Sequence, residues 1–205
     1  MDKGISDVRA VRSRQMMSEA LVRLMEHKPL YKVTVNDIVK EAKVARTTFY
    51  AQFKDKDQFV SEVIQDKLAE LRRTVMPNFD ITDTEQFEEA SQTYYIKYYQ
   101  AYLENKEFFK VFLGPNGLPD FVELLTENGI KAYTQIFENA SVDEFPLPPK
   151  YIVQYIVSAH IGLGIQWMEN DFKESPEYMA RIQTRLTNRG LLRGLKIDQH
   201  ITLLK

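Results

Sequence analysis

Between Thr34 and Lys56 the chain carries, within one short span, the side-chain types that hydrogen-bond to nucleic acid. Arginine donates bidentately to guanine, glutamine pairs with adenine, and a threonine methyl touches thymine, so Arg46, Thr47 and Gln52 suit direct readout of base edges. Thr34, Thr48, Tyr50, Lys54 and Lys56 suit phosphate contacts, where hydroxyl and ammonium groups fix register without reading sequence. A second chemical group is Tyr94-Tyr95-Ile96-Lys97-Tyr98-Tyr99-Gln100-Ala101-Tyr102. On a helix Tyr94, Tyr98 and Tyr102 share one side while Tyr95 and Tyr99 lie about 100° away, so the aromatic surface is wider than one core stripe needs. Tyrosine combines an apolar body with a polar tip, which suits either the wall of an orienting pocket or a core ring with its hydroxyl at the surface. The candidate pocket residues are Tyr94, Tyr98, Tyr102, Phe109, Tyr133, Phe137, His160 and Trp167. A lone His160 between Ala159 and Ile161 suits a core or pocket position better than a metal ligand.

These side chains need elements to hold them. Glycine is absent from Ile5 through Leu113 and proline occurs there only at Pro29 and Pro77, so nearly all of that length can be helix. Met17, Ala20, Leu21, Leu24 and Met25 recur at three- and four-residue spacing, which predicts a helix over about 7–27. Thr34 reads as an N-cap, and Val35, Ile38, Val39 and Ala42 form one face of a two-turn helix behind it. Another short helix is expected over 45–53. Two short helices joined by a tight turn make a helix-turn-helix, whose second helix can enter the major groove. Ile38, Ala42, Val44, Phe49 and Phe53 then anchor the pair and leave Arg46, Thr47, Thr48, Tyr50 and Gln52 facing outward.

A longer helix follows from Asp55 or Lys56, striped by Phe59, Val60, Val63, Ile64, Leu68 and Leu71, and closes at Pro77. Further helices are predicted over about 82–104, 106–113, 119–140, 149–171 and 175–189, the last with Ser175 as N-cap and Pro176 at the favoured first position. Residues 191–205 give no assignable pattern. The fold class is therefore all-α. The division read from it is a helix-turn-helix DNA-binding domain over 1–55, a linking helix of about 56–75, and a second domain over 76–205.

Composition narrows the function classes. With 205 residues, 44% of them apolar, 12% aromatic and a net charge of -2, the chain can bury a real core. It has no cysteine, which removes disulfides, thiolate zinc sites and thiol nucleophiles, and three histidines leave little for metal chemistry. There is no HExxH, no glycine-rich phosphate loop and no Ser/His/Asp pattern, and carboxylates such as Glu88-Glu89 read as solvated faces, so neither an enzyme nor a cofactor is expected. No stretch approaches the roughly 18 apolar residues of a membrane span, and the start is too polar for a secretory signal, so a bacterial cytoplasmic location is expected. Charge is unevenly placed: residues 1–75 hold 15 Lys+Arg against 11 Asp+Glu, a net of +4, while 76–205 hold 12 against 18, a net of -6. A basic first segment on an acidic remainder suits a polyanionic partner for the first alone.

Thr34, Ile38, Ala42, Val44, Phe49-Tyr50, Phe53 and Lys56 stand at the offsets of the N-terminal signature of the TetR family of bacterial transcription regulators, which the chain resembles over about residues 10–60. The resemblance implies a three-helix DNA-binding domain, a C-terminal ligand-binding and dimerisation domain, and repression of an operator relieved by a small molecule. Two positions depart from the signature. Lys43 stands where glycine is usual, at a cost of about 1 kcal/mol if the backbone is left-handed, and Ala45 stands where serine would offer a hydroxyl. Small residues in Ser158-Ala159-His160-Ile161-Gly162-Leu163-Gly164 allow close helix approach, either within one subunit or across a two-fold four-helix interface. The resemblance favours the latter, with Tyr155, Ser158, Gly162, Gln166, Ile182 and Leu186 as interface candidates. The expected partners are thus a palindromic double-stranded DNA operator, a small effector and a second copy of the chain. An alternative keeps the fold but replaces the operator with a protein partner, making the chain a co-activator.

Overall fold

The computed structural model describes residues 3–75, 84–138 and 147–190. Among the described residues there are nine α-helices and no strand, so the chain is all-α: α1 (Lys3–Met25), α2 (Val35–Glu41), α3 (Arg46–Tyr50), α4 (Lys56–Val75), α5 (Thr84–Glu104), α6 (Lys106–Leu113), α7 (Phe121–Glu138), α8 (Pro149–Glu169) and α9 (Pro176–Arg189), with a 3-10 turn at Leu30–Lys32. The break expected at Pro77, the helix start at Thr82-Asp83 and the C-terminal residues 191–205 lie outside the described residues. Two compact units share the chain: the described residues up to Ala69 join Glu107–Phe121 in one, and Glu70–Lys106 joins those from Val122 onward in the other.

The first unit therefore takes in most of α4 and all of α6 but Lys106, more than the 1–55 read from sequence. Its core explains why. Met17, Ala20, Leu21 and Met25 of α1, Ile38 of α2, Phe49 of α3 and Phe59 of α4 are all fully buried, so α4 is a wall of this core and not only a connector. Arg14 of α1 pairs with Glu62 at 2.8 Å and Asp66 at 2.7 Å of α4. The turn after α6 is tied in by backbone chemistry: Leu30 N–H donates to Asn116 O at 2.9 Å, and Asn116 Nδ2 donates to Met25 O at 3.0 Å.

In the second unit α5 lies along α9, and the Tyr99 hydroxyl donates to Gln183 Oε1 at 3.0 Å inside it. The inner face of α8 carries Val153, Val157, His160, Ile161, Gly164 and Trp167. Gly129 of α7 has a steric reason: a Cβ there would sit 2.8 Å from Val157 Cγ1, so only glycine admits this approach. At the start of α9, Ser175 Oγ accepts from Tyr178 N–H at 3.2 Å and Pro176 occupies the first helical position, as its sequence predicts.

Candidate nucleic-acid interface and ligand site

The helix-turn-helix is built outward from Phe49. Its ring is fully buried and lies 5.4 Å from those of Tyr50, Phe53 and Phe59, while Ile38, Ala42 and Phe53 are buried around it. That fixes α3 and leaves Arg46, Thr47 and Tyr50 exposed, with Thr48 half-buried. The Arg46 guanidinium stands between Asn36 Oδ1 at 3.5 Å and the Tyr50 hydroxyl at 3.4 Å, and its Cζ is 5.4 Å from the centre of the Tyr50 ring. These contacts are long and weak, so they aim the fork without using up its five donors. Asn36 was not singled out in the sequence, because nothing there shows that the exposed side of α2 faces Arg46.

Gln52 departs from the expected outward placement. Helix α3 stops at Tyr50, and the turn that follows swings Gln52 inward, where Nε2 donates to Ser13 Oγ at 2.9 Å and to Thr48 O at 3.2 Å. It bridges the turn to α1 and is not available to read a base in this arrangement. Thr34 also differs from its phosphate assignment. Its Oγ1 donates to Asp37 Oδ2 at 2.8 Å and accepts from Asp37 N–H at 3.2 Å, so its one hydroxyl proton is spent in a capping box. Lys28 donates to the same carboxylate at 2.6 Å, and this bond together with those from Thr34 lowers the Asp37 pKa to about 2. Lys54 is exposed, whereas Lys56 is half-buried and gives one of its donors to Leu30 O at 3.1 Å. The two departures from the family signature also show locally: Lys43 is left-handed with φ 55°, and the N-cap of α3, Ala45, makes no side-chain cap.

The second unit gathers Tyr94, Tyr98, Tyr102, Tyr133 and His160 into one aromatic cluster. The Tyr98 ring lies 6.5 Å from Tyr94, 4.7 Å from Tyr102 and 6.0 Å from His160, and Tyr133 lies 6.2 Å from Tyr94 and 5.3 Å from His160. Tyr95, part of the wide aromatic surface but not among the pocket candidates, lies 5.0 Å from His160, edge to face. Burial pushes the phenols of Tyr94, Tyr95, Tyr98, Tyr102 and Tyr133 above their ordinary pKa, so all stay neutral. The His160 ring is 3% exposed, and burial lowers its pKa to about 3. Its Nδ1 is 3.0 Å from the Tyr133 hydroxyl, and its Nε2 is buried with no hydrogen-bond partner among the described residues.

Two of the expected pocket residues sit elsewhere. Phe109 of α6 belongs to the core of the first unit, fully buried with its ring 5.7 Å from Phe108. Trp167 is buried beside Tyr99 at 5.3 Å and Phe172 at 4.9 Å, and its Nε1 donates to Glu174 O at 3.0 Å, so its polar atom is already satisfied. The side chain of Phe137 lies outside the described residues. Of the interface candidates, Tyr155, Ser158, Gly162 and Gln166 form one exposed strip along α8, and Ile182 and Leu186 are half-buried on α9. The neighbouring glycines separate: a Cβ at Gly164 would touch Tyr102 and Tyr98, at 3.6 and 3.9 Å, whereas at Gly162 it would meet nothing within 4 Å.

Among the described residues no helix is long and apolar enough to cross a membrane, and no three His, Asp or Glu side chains gather as a metal site. What the fold defines is a helix-turn-helix protein with a separate helical unit. Comparison with known proteins then gives the family. Residues 19–63 match the family model of the bacterial regulatory proteins of the tetR family, and residues 89–189 match that of a transcriptional regulator C-terminal region. The chain belongs to the TetR family of bacterial regulatory proteins. The uncharacterised HTH-type transcriptional regulator YxbF of Bacillus subtilis (strain 168) is 21% identical over 165 residues, 80% of this chain and 42% of that protein, so the chain spans less than half of that relative's length. Among solved structures, the dihydroxyacetone kinase operon activator DhaS superposes with a TM-score of 0.61 at 18% identity, covering 86% of this chain and 94% of that one. The transcriptional regulator FadR from Bacillus subtilis, solved in complex with stearoyl-CoA, gives 0.63 at 16% identity, covering 86% and 98%.

Proposed function

We propose that the chain is a homodimeric repressor of a palindromic operator, released from DNA by a small effector held in its second unit, and that it acts in the bacterial cytoplasm. The observation that carries the DNA half of this reading is the buried Phe49 fixing α3 so that Arg46, Thr47 and Tyr50 are exposed together. The base reader is Arg46 with Thr47; Thr48, Tyr50, Lys54 and the remaining donors of Lys56 serve phosphates. The dimer half rests on the strip Tyr155, Ser158, Gly162 and Gln166. A glycine inside a helix costs about 1 kcal/mol relative to alanine, and at Gly162 no neighbour among the described residues requires it, which suits the close approach of a second α8. The effector half rests on the tyrosine cluster and on the likeness to FadR, whose structure holds stearoyl-CoA. Effector and operator then oppose one another by linkage: each weakens the binding of the other by the same factor.

Likeness to an operon activator, DhaS, favours one second reading, a co-activator that works through a protein partner. A gel shift on the DNA upstream of the chain's own coding sequence separates the two. The repressor reading expects a specific complex that Arg46→Ala weakens by about 1–3 kcal/mol per half-site while random DNA is affected less. Absence of any specific complex favours the protein partner. For the dimer, Gly162→Leu is expected to shift sedimentation equilibrium towards monomer by about 1–3 kcal/mol; an equally tight dimer removes α8 from the interface.

A further inference from the structure

We infer that the tyrosine cluster of the second unit binds an uncharged molecule through a carbonyl-type oxygen that accepts a hydrogen bond from His160 Nε2. This deepens the effector reading proposed above by naming the chemistry that would be recognised. The starting point is the unpartnered Nε2 on a ring that is 3% exposed. Buried polar atoms are almost always paired, because water is lost without replacement, so an unpaired one marks a place where a partner is supplied.

The direction of the bond follows from Tyr133. A phenol is a stronger acid than a neutral imidazole N–H, and an imidazole nitrogen is a stronger base than a phenol oxygen. Tyr133 therefore donates to Nδ1 across 3.0 Å, which places the ring hydrogen on Nε2. The imidazole stays neutral, since burial lowers its pKa to about 3.

The same surroundings choose the acceptor's charge. Burial shifts His160, and burial with neighbouring tyrosines shifts Tyr98 and Tyr133; among the described residues no charged side chain perturbs these three groups. A carboxylate placed there would lose its water and gain no cation, whereas a ketone, ester, amide or thioester carbonyl needs only the one donor. The aromatic faces suit an apolar or planar body next to that oxygen. Tyr98 and Tyr133 are half-buried, while Tyr94, Tyr95, Tyr102 and His160 are buried.

The test uses the full chain labelled with 15N-histidine. It has three histidines, His27, His160 and His200, and the His160 signals are those lost in His160→Gln. The wild type is expected to show the Nε2–H tautomer at pH 7, and the Nδ1–H tautomer or an imidazolium there would overturn the proposal without any variant being needed. Acetophenone, ethylbenzene and benzoate are then titrated separately, sharing one ring but differing in a neutral carbonyl, no oxygen and an anion. Acetophenone is expected to shift the Nε2 resonance and to bind roughly 3- to 10-fold more tightly than either of the others. That preference should vanish in His160→Phe and persist in His160→Gln, which keeps an N–H donor. Equal binding of the three probes, or no binding of any, overturns the proposal. Operator affinity is read in the same samples to keep the two readings apart. A carbonyl preference that leaves DNA binding unchanged overturns the effector role and keeps the site, while operator release by all three probes alike overturns the carbonyl chemistry and keeps the role.

Discussion

The helix-turn-helix region and the tyrosine cluster differ in how their polar chains end. Around the recognition helix they close on themselves: Lys28 and Thr34 both give to Asp37, which gives its own N–H back to Thr34, and Lys56 and Asn116 both bond to Leu30. In the cluster the series Tyr133 to His160 ends on an open Nε2. A surface that must dock on DNA in one register gains from being fully satisfied before the encounter, since nothing then has to be ordered on binding. A site that must take up a ligand keeps one strong donor in reserve. On the reading proposed above, polar bonds near the surface serve rigidity in one region, and one buried polar atom serves recognition in the other.

The largest test of that contrast is Phe49→Ala. Phe49 is fully buried among Tyr50, Phe53 and Phe59, so the change should cost about 3–5 kcal/mol of stability in denaturant titrations and abolish operator binding. A cost below about 1 kcal/mol would mean that the recognition helix is not held by its core, and the rigid half of the comparison would fall.

Acid titration of stability sharpens it further, because the two regions respond in different windows. The His160 pKa is lowered by burial from 6.5 to about 3, so the unfolded chain takes up a proton first, and stability is lost as pH falls below about 6.5 and onward towards 3. The Asp37 pKa is lowered from 3.8 to about 2 by Lys28 and Thr34; its contribution is complete above pH 4 or so and is lost only as pH falls towards 2. Denaturation measured from pH 7 to 3 should therefore show a slope between pH 6.5 and 4 that His160→Gln flattens and Asp37→Asn leaves alone. If Asp37→Asn flattens that window instead, the two assignments are reversed. Breaking the capping box itself, by Thr34→Ala, should cost about 1 kcal/mol at neutral pH.

Sequence reached the elements well and the site unevenly, for reasons visible in single residues. Periodicity and caps are local, which is why α6 over Lys106–Leu113, the Thr34 cap and the Ser175-Pro176 start of α9 could be read directly. Gln52 could not, because its direction depends on α3 ending at Tyr50 and on a Ser13 hydroxyl 39 positions away. Phe109 and Trp167 have the composition of pocket residues, and only the tertiary structure assigns the first to the other unit and gives the second its bond to Glu174. The helical wheel places Tyr95 on the widened aromatic surface of α5 but does not say which neighbour it meets, and α5 buries both Tyr94 and Tyr95.

The smallest expected effect lies at Lys43, which the sequence marks only by the family's usual glycine and which the structure places left-handed, with φ 55°, in the turn between α2 and α3. A side chain with a Cβ is strained there by roughly 1 kcal/mol, and glycine is not. Glycine also gains freedom in the unfolded chain, which takes back part of the difference, so Lys43→Gly should stabilise the protein by about 0.5 kcal/mol and certainly by less than 1 kcal/mol. The position isolates the backbone term because Lys43 is exposed. Phe172 in the second unit shares φ 55° but is buried 4.9 Å from the Trp167 ring, and glycine there would lose packing worth more than the strain it removes. The free protein is the one to measure, by the midpoint of urea unfolding, since on DNA the lost lysine charge would weaken every sequence alike and hide the gain. A lowered midpoint would show that the lysine side chain holds the turn, and that this corner of the helix-turn-helix is stabilised by a contact and not merely tolerated as strain.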